Sequence, residues 1–181
     1  METSPVAIST NRFFLRTLTP DDVSDRYVSW FGDGYVGQYI SAATLKPSLN
    51  SLKQYVRERS GRDDVIFLGI FEKKSGFHIG NVKYDPLNSG LRYAIMGMLI
   101  GEPNWRGKGV AAEVLLASAE WLWQYRNIRQ VILGVNCDNI AAIKAYSKVG
   151  FIEEPTEFIL PPLNGNITMV WRLKQARIKN C

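Results

Sequence analysis

Gly107, Lys108 and Gly109 stand between a strand-like apolar run and an alanine-rich apolar stripe, within NWRGKGVAAEV, residues 104–114. The stripe reads as a helix. The first backbone N–H groups of a helix have no partner inside it, and the helix dipole adds partial positive charge there. Glycines let a ligand come close to that backbone, and a phosphate suits both features. The P-loop pattern G-x-x-x-x-G-K-[ST] fails, because Glu102 stands at its first glycine and Gly109 at the hydroxyl that would hold magnesium. Residues 107–112 match the dinucleotide fingerprint G-x-G-x-x-G/A literally, but that loop belongs inside a repeated βαβ pattern. Taken alone, the loop is also readable as a glycine-rich turn that only caps a helix.

A second stretch lies about thirty residues on: DNIAAIKAYSKVGF, residues 138–151. Asn139 and Tyr146 are seven residues apart, two helical turns, so they share a face, while Lys144 and Lys148 occupy another. Taken alone, Tyr146 is an amphipathic helix tyrosine that packs its ring and wets its hydroxyl. Beside a phosphate-binding loop, the same hydroxyl becomes a candidate proton donor.

The elements that must position these residues follow from periodicity. Residues 12–19 have strand composition and end at Pro20. Asp21 and Asp22 mark a helix start, with Val23, Tyr27 and Trp30 at helical spacing. Gly32, Gly34 and Gly37 then predict a loop, and residues 47–59 a second short helix. Apolar runs at 65–74, 77–85 and 91–101, joined by short turns at 75–76 and 86–90, predict an antiparallel meander. From Gly107 the period changes to that of a helix of about five turns, with Val110, Val114, Trp121, Leu122 and Tyr125 on its apolar stripe. A strand at 130–136, a helix at 139–150 ending on glycine, a strand from Phe151, a turn at PPLNGN and a last strand at ITMVWRLK complete the order β α α β β β α β α β β. This is one mixed α/β unit over 1–181, with residues 175–181 as a frayed tail.

Composition bounds the partners. The chain has 181 residues, 46% hydrophobic and 22% charged, as in ordinary globular proteins. The opening residues lack an apolar core of signal-peptide length, and no run approaches the length of a membrane span, so the chain reads as cytoplasmic with no membrane partner. Cys137, Cys181 and the single His78 have no metal-ligand spacing, which predicts no metal and no disulfide framework. The net charge of +5 permits nucleic-acid binding, but the basic residues are scattered. A mildly basic protein that handles a phosphorylated cofactor fits better than one that binds nucleic acid.

The pattern [RQ]-x-x-G-x-[GA], met by Arg106, Gly109 and Ala111, and the pattern N-x-x-A-x-x-x-Y-x-x-x-G-F from Asn139 together resemble the GCN5-related N-acetyltransferase superfamily. The element order fits along most of the chain. Residues 26–30 (RYVSW), 79–81 (IGN) and 100–102 (IGE) resemble the branch with ribosomal-protein N-terminal, spermidine and nucleotide-amino-sugar acetyltransferases. The resemblance implies a single-domain α/β fold, with a mixed, mostly antiparallel central sheet flanked by helices. It implies acetyl-CoA as cofactor, a small-molecule or peptide amine as acceptor, and a monomer or homodimer. Leu99, Ile100 and Gly101 would hydrogen-bond the pantetheine arm. Arg106, Gly107, Lys108, Gly109, Val110 and Ala111 would wrap the pyrophosphate with backbone N–H groups. Asn139 would bind the cofactor arm, and Tyr146 would protonate the departing thiolate. A fold that binds acetyl-CoA without catalysis is the alternative.

The reaction's needs bear on the acceptor. An amine of pKa near 10.4 is neutral in roughly one molecule in 2,500 at pH 7, an α-amine near 8 in roughly one in ten. The first needs a base; the second can manage with a water chain. The ribosomal-protein enzymes carry a glutamate in the strand before the Asn–Tyr helix, where this sequence has Gly134. Glu102 is the nearest other carboxylate in sequence, and it also reads as a loop carboxylate that only favours the helix dipole; Asp85 and His78 are weaker candidates. Trp30, Phe31, Tyr35 and Tyr39 read either as an aromatic acceptor floor or as ordinary core under a loop, with Asp33 expected to pair with the substrate amine. One carboxylate there favours a neutral or anionic amine carrier, such as a nucleotide-linked amino sugar, over a polyamine.

Overall fold

Alternation of apolar and polar residues builds the sheet, and its two faces receive different helices. The computed structural model describes residues 5–39, 46–159 and 165–174. The elements are β1 (Ala7–Ser9), β2 (Phe13–Thr17), α1 (Asp25–Trp30), α2 (Gly34–Tyr39), α3 (Leu49–Arg57), β3 (Ile66–Glu72), β4 (His78–Asn88), β5 (Tyr93–Ile100), α4 (Val110–Arg126), β6 (Gln130–Asn136), α5 (Ile140–Val149), β7 (Ile152–Glu153) and β8 (Asn166–Arg172). The strands form one sheet in the order β1-β2-β3-β4-β5-β6-β8-β7. Every neighbouring pair is antiparallel except β5 and β6.

The main core lies where Leu15, Leu68, Ile70, Val82, Tyr84 and Met96 meet Val110, Val114, Leu115 and Leu122 of α4. Ala142, Ile143, Tyr146 and Val149 of α5 pack against the same cluster. A second core joins Tyr27, Trp30, Leu52 and Val56 of α1 and α3 to Phe67, with Leu99 packed against it. Among the described residues no helix is long and apolar enough to cross a membrane.

Several expectations are corrected. β1 precedes the first expected strand; three residues are too few for alternation to announce. Asp21 and Asp22 sit in a 3-10 turn, Pro20–Asp22, and α1 begins only after Ser24, whose side chain accepts from the Tyr27 N–H. The expected glycine loop contains α2. Asp33 Oδ1 accepts from the N–H groups of Tyr35 (2.9 Å) and Val36 (3.2 Å), and buried Val36 anchors the turn. β4 continues past Pro86, because a register shift between Tyr84 and Leu87 accommodates the proline and returns Leu87 to the core. On α4 the buried stripe includes Leu115, Ser118 and Ala119, whereas Tyr125 is 67% exposed and lies against Trp121 with its ring tilted. Most of the turn expected at PPLNGN and the tail at 175–181 lie outside the described residues.

Candidate active site

β5 and β6 pair only from Tyr93↔Gln130 to Ile95↔Ile132. Beyond that point they separate, and the β6-facing edge of Met96–Ile100 has no strand partner among the described residues. The gap opens into a cavity of about 980 Å³.

The ladder decides which backbone groups face it. Gly101 N–H donates to the Ile79 carbonyl (3.0 Å), and antiparallel pairing alternates from there. Leu99 therefore turns its main chain to Asn81 of β4, while Met98 and Ile100 turn theirs to the gap. The Ile100 carbonyl already accepts from Arg106 Nε (3.1 Å), and the Gly101 carbonyl from Arg106 Nη2 (2.8 Å). Met98, which motif matching did not single out, thus offers a free main-chain edge that Leu99 and Gly101 do not. Only the alternation from a known register reveals this.

The glycine loop closes one end of the cavity. Gly107 and Gly109 have φ of 72° and 74°, left-handed values that side chains disfavour. Gly109 is the N-cap of α4 and offers no side-chain cap, so the first-turn N–H groups remain available to an anion. The loop is held from outside. Glu113 accepts from Thr10 Oγ1, Arg12 N and Arg12 Nε, each at 2.7 Å, and Arg12 Nη1 donates to the Lys108 carbonyl (3.0 Å). Arg106, Gly107, Gly109, Val110 and Ala111 line the cavity; the exposed Lys108 does not.

Across the gap, Asn139 caps α5 by accepting from the Ala142 N–H (3.1 Å). α2 reaches this point: the Tyr35 hydroxyl donates to Asn139 Oδ1 (3.4 Å) and the Tyr39 hydroxyl to the Asp138 carbonyl (3.5 Å). Tyr146 lines the same cavity, and among the described residues nothing hydrogen-bonds its hydroxyl. Desolvation, with Tyr35 nearby, pushes its pKa up to about 12, so it holds its proton at neutral pH.

Trp30, Glu102, Asp33, Asp85 and His78, all expected candidates, lie outside this cavity's lining. Trp30 is buried under the strand end, packed on Gly101, where a Cβ would stand 1.9 Å from the indole. Glu102 faces away from the cavity: its Oε1 accepts from Arg26 Nε (2.6 Å) and Trp30 Nε1 (2.9 Å). The Arg26 hydrogen bond holds this carboxyl below its ordinary range, which makes it a poorer base. Asp33 caps α2 and pairs with Arg106 at 3.1 Å, so it is not a free carboxylate for an amine. Asp85, similarly, is taken by Arg59 (3.1 Å) and Lys83 (3.3 Å).

The β4 side of the cavity is lined by Asn81 and Lys83, to which no motif gives a role. Asn81 and Lys83 of β4 stand opposite Leu99 and Gly97 of β5, with Tyr55 and Phe67 beside them. Their signal was present: two polar side chains alternating inside a strand otherwise buried. His78 lies outside the cavity, in a box of Tyr27, Trp30 and Phe71. Burial lowers its pKa, so it is neutral. Its Nε2 is 2.9 Å from the Gly80 carbonyl, which can only accept, so Nε2 carries the proton. The Asn81 atom 2.7 Å from Nε2 is therefore the oxygen, which leaves the buried Asn81 Nδ2 without a partner among the described residues.

Among the described residues, the charged groups that line the cavity are Lys83, Arg106, Lys144 and Lys148, and none is a carboxylate. A left-handed glycine loop, open helix N–H groups and an unpaired strand edge beside a protonated tyrosine fit acetyl-CoA, with its pyrophosphate and amide-bearing arm.

An acetyltransferase (GNAT) domain model matches residues 12–152. The fold is similar to a ribosomal-protein α-N-acetyltransferase solved with coenzyme A (TM-score 0.79, 16% identity, 93% of this chain and 98% of that one). It is similar to a spermidine N-acetyltransferase chimera from Vibrio cholerae (0.74, 19%, 90% and 96%). It is also similar to a microcin self-immunity acetyltransferase solved with acetyl-CoA and AMP (0.75, 12%, 90% and 93%). With the family model covering most of its length, the chain belongs to the GNAT acetyltransferase family.

Proposed function

We propose that the acceptor is a primary amine on a molecule without further positive charge, a nucleotide-linked amino sugar being the class the cavity suits. The observation that carries this reading is the cation-only lining: Lys83, Arg106, Lys144 and Lys148 with no carboxylate among the described residues. A polyamine in such a cavity would meet like charge and find no counter-ion. The comparison with a microcin self-immunity acetyltransferase adds that this fold accommodates a nucleotide together with acetyl-CoA.

In this reading the N–H groups after Gly107 and Gly109 bind the pyrophosphate, and the Met98 edge binds the amide-bearing arm. Asn139 keeps its amide N–H for the same arm. Bound acetyl-CoA supplies a thioester-activated acetyl group. Tyr146 gives its phenolic proton to the departing sulfur, and recovers one from solvent. No carboxylate or imidazole lines the cavity among the described residues, so the amine arrives neutral or loses its proton to water. That suits an amine of low pKa.

Thermal unfolding with acetyl-CoA, NAD and ATP added separately tests the cofactor. At one hundred times its Kd a ligand stabilises by about 2.7 kcal/mol, a rise of roughly 5–11 °C for this size. Acetyl-CoA alone should give it. CoA release is then compared for a UDP-linked amino sugar, a peptide N-terminus and spermidine. Spermidine as the best acceptor would refute the reading.

A further inference from the structure

We infer that Lys83, Tyr55 and Asn81 form an oxyanion subsite that anchors a phosphate or carboxylate borne by the acceptor itself. The inference rests on the amine-acceptor reading above and adds where and by what group the acceptor is held.

Hydrogen-bonding capacity carries the argument. The Lys83 ammonium has three donors. One goes to the Tyr55 hydroxyl (2.7 Å) and one faces Asp85 (3.3 Å), which leaves the third. The Tyr55 hydroxyl, as acceptor from Lys83, keeps its own proton to donate. Asn81 is 4% exposed, with its oxygen fixed by His78 and its Nδ2 buried and unpartnered. A buried donor left without an acceptor is costly, and this one belongs to a residue that lines the cavity beside Lys83. Asn81 and Lys83 project from one face of β4, and Gly97 opposite Lys83 leaves that floor bare: a Cβ there would meet nothing within 4 Å. Lys83 and the Tyr55 hydroxyl thus keep donors free at a cavity that Asn81 also lines and to which no described residue supplies a carboxylate.

The surrounding charge has the matching sign. Asp85 is shared between Lys83 and Arg59, and Arg59 also lies over the Tyr55 ring at 3.5 Å. Two cations and one carboxylate leave one positive charge. An oxyanion on Lys83 completes the balance and aligns the rest of the acceptor along the bare floor toward the β5–β6 gap.

The test is binding to the CoA-saturated protein, so that no turnover is needed. Two matched pairs separate the possible oxyanions: glucosamine 6-phosphate against glucosamine, and glycylglycine against glycylglycinamide. Preference for the anionic member by about tenfold or more in either pair supports the subsite, and the pair that shows it names the group. Lys83→Met should bring that preference close to one, and Lys83→Glu should reverse it and admit spermidine. Both variants should keep the thermal shift that CoA produces, which shows an intact fold. Equal affinity within both pairs, no binding by any of the four, or a preference that survives Lys83→Met overturns the inference. Absence of any CoA-induced shift in the unmodified protein instead sinks the cofactor reading, and the subsite falls with it.

Discussion

Arg106 Nη1 lies 3.1 Å from Asp33 Oδ1, and the same guanidinium donates to the carbonyls of Ile100 and Gly101 and sits 4.9 Å over the Tyr35 ring. One side chain therefore ties the end of β5, the glycine loop and α2 together. Asp33→Ala removes both this ion pair and the cap of α2. Loss of a cap costs about 1 kcal/mol, and the melting temperature should fall by about 2–4 °C. Acetyl-CoA should bind several-fold more weakly, because the loop loses its brace. Asp33→Asn keeps a cap and should recover the melting temperature but not the affinity. Calorimetric titration beside thermal melts separates the two; an Asp33→Ala protein with unaltered affinity would show that the brace is idle.

Glu102 joins α1 to the residues that follow β5, through Arg26 and Trp30. Its carboxyl is held below the ordinary range, chiefly by the Arg26 hydrogen bond. A carboxyl depressed in the folded state adds stability above its unfolded pKa, about 4.3, and loses it as the pH falls through the folded value. Glu102→Gln should therefore melt below the unmodified protein at pH 7, with the difference closing below about pH 4. A gap of the same size at pH 3 would assign the loss to packing against Trp30 rather than to charge.

Periodicity and motif together make the antiparallel meander, the long helix and the shared cavity side of Asn139 and Tyr146 legible, since each rests on local spacing; Lys144 and Lys148, expected on another face, line that cavity as well. Asp33, Glu102 and Trp30 were misplaced for a shared reason. Each is defined by a partner 72 to 76 residues away, namely Arg106, Arg26 or Glu102, which no local pattern reports. The Lys83–Tyr55 pair is likewise invisible to local pattern, because it spans 28 residues and two elements. Asn81 stands in the sequence as the last residue of the IGN motif. Its orphan donor exists because His78, buried and neutral, fixes the other end of the amide. α2 was hidden by two glycines whose low helix propensity is overridden by the Asp33 cap and buried Val36.

Gly97 and Gly101 sit four residues apart at the end of β5 yet call for opposite outcomes. A Cβ on Gly97 would meet nothing within 4 Å, whereas one on Gly101 would stand 1.9 Å from the Trp30 ring. Gly97→Val should keep or raise the melting temperature, because valine suits a strand better than glycine. Its side chain fills acceptor space, so KM for the amine should rise by about tenfold or more, with the acetyl-CoA Kd little changed. Gly101→Ala should lose about 2–3 kcal/mol through overpacking. If Gly97→Val leaves amine KM untouched, the floor of β4 and β5 is not where the acceptor lies.

The pH dependence of turnover reads the proton inventory of the cavity. Tyr146 holds its proton up to about pH 12, and no carboxylate or imidazole lines the cavity among the described residues. The rate kcat/KM should then rise tenfold per pH unit until the acceptor amine is itself neutral, and stay level above that. A bell with an acidic limb between about pH 5 and 7 would instead reveal a protein base of ordinary pKa. Tyr146→Phe should lower kcat by about a hundredfold or more, the usual worth of a positioned acid. It should leave the acetyl-CoA Kd within about twofold, since the phenol acts on the leaving sulfur rather than on the pyrophosphate. The loss should shrink for a thioester whose thiol is more acidic, because a better leaving group needs less protonation. A loss independent of the leaving group would recast Tyr146 as a packing residue of α5.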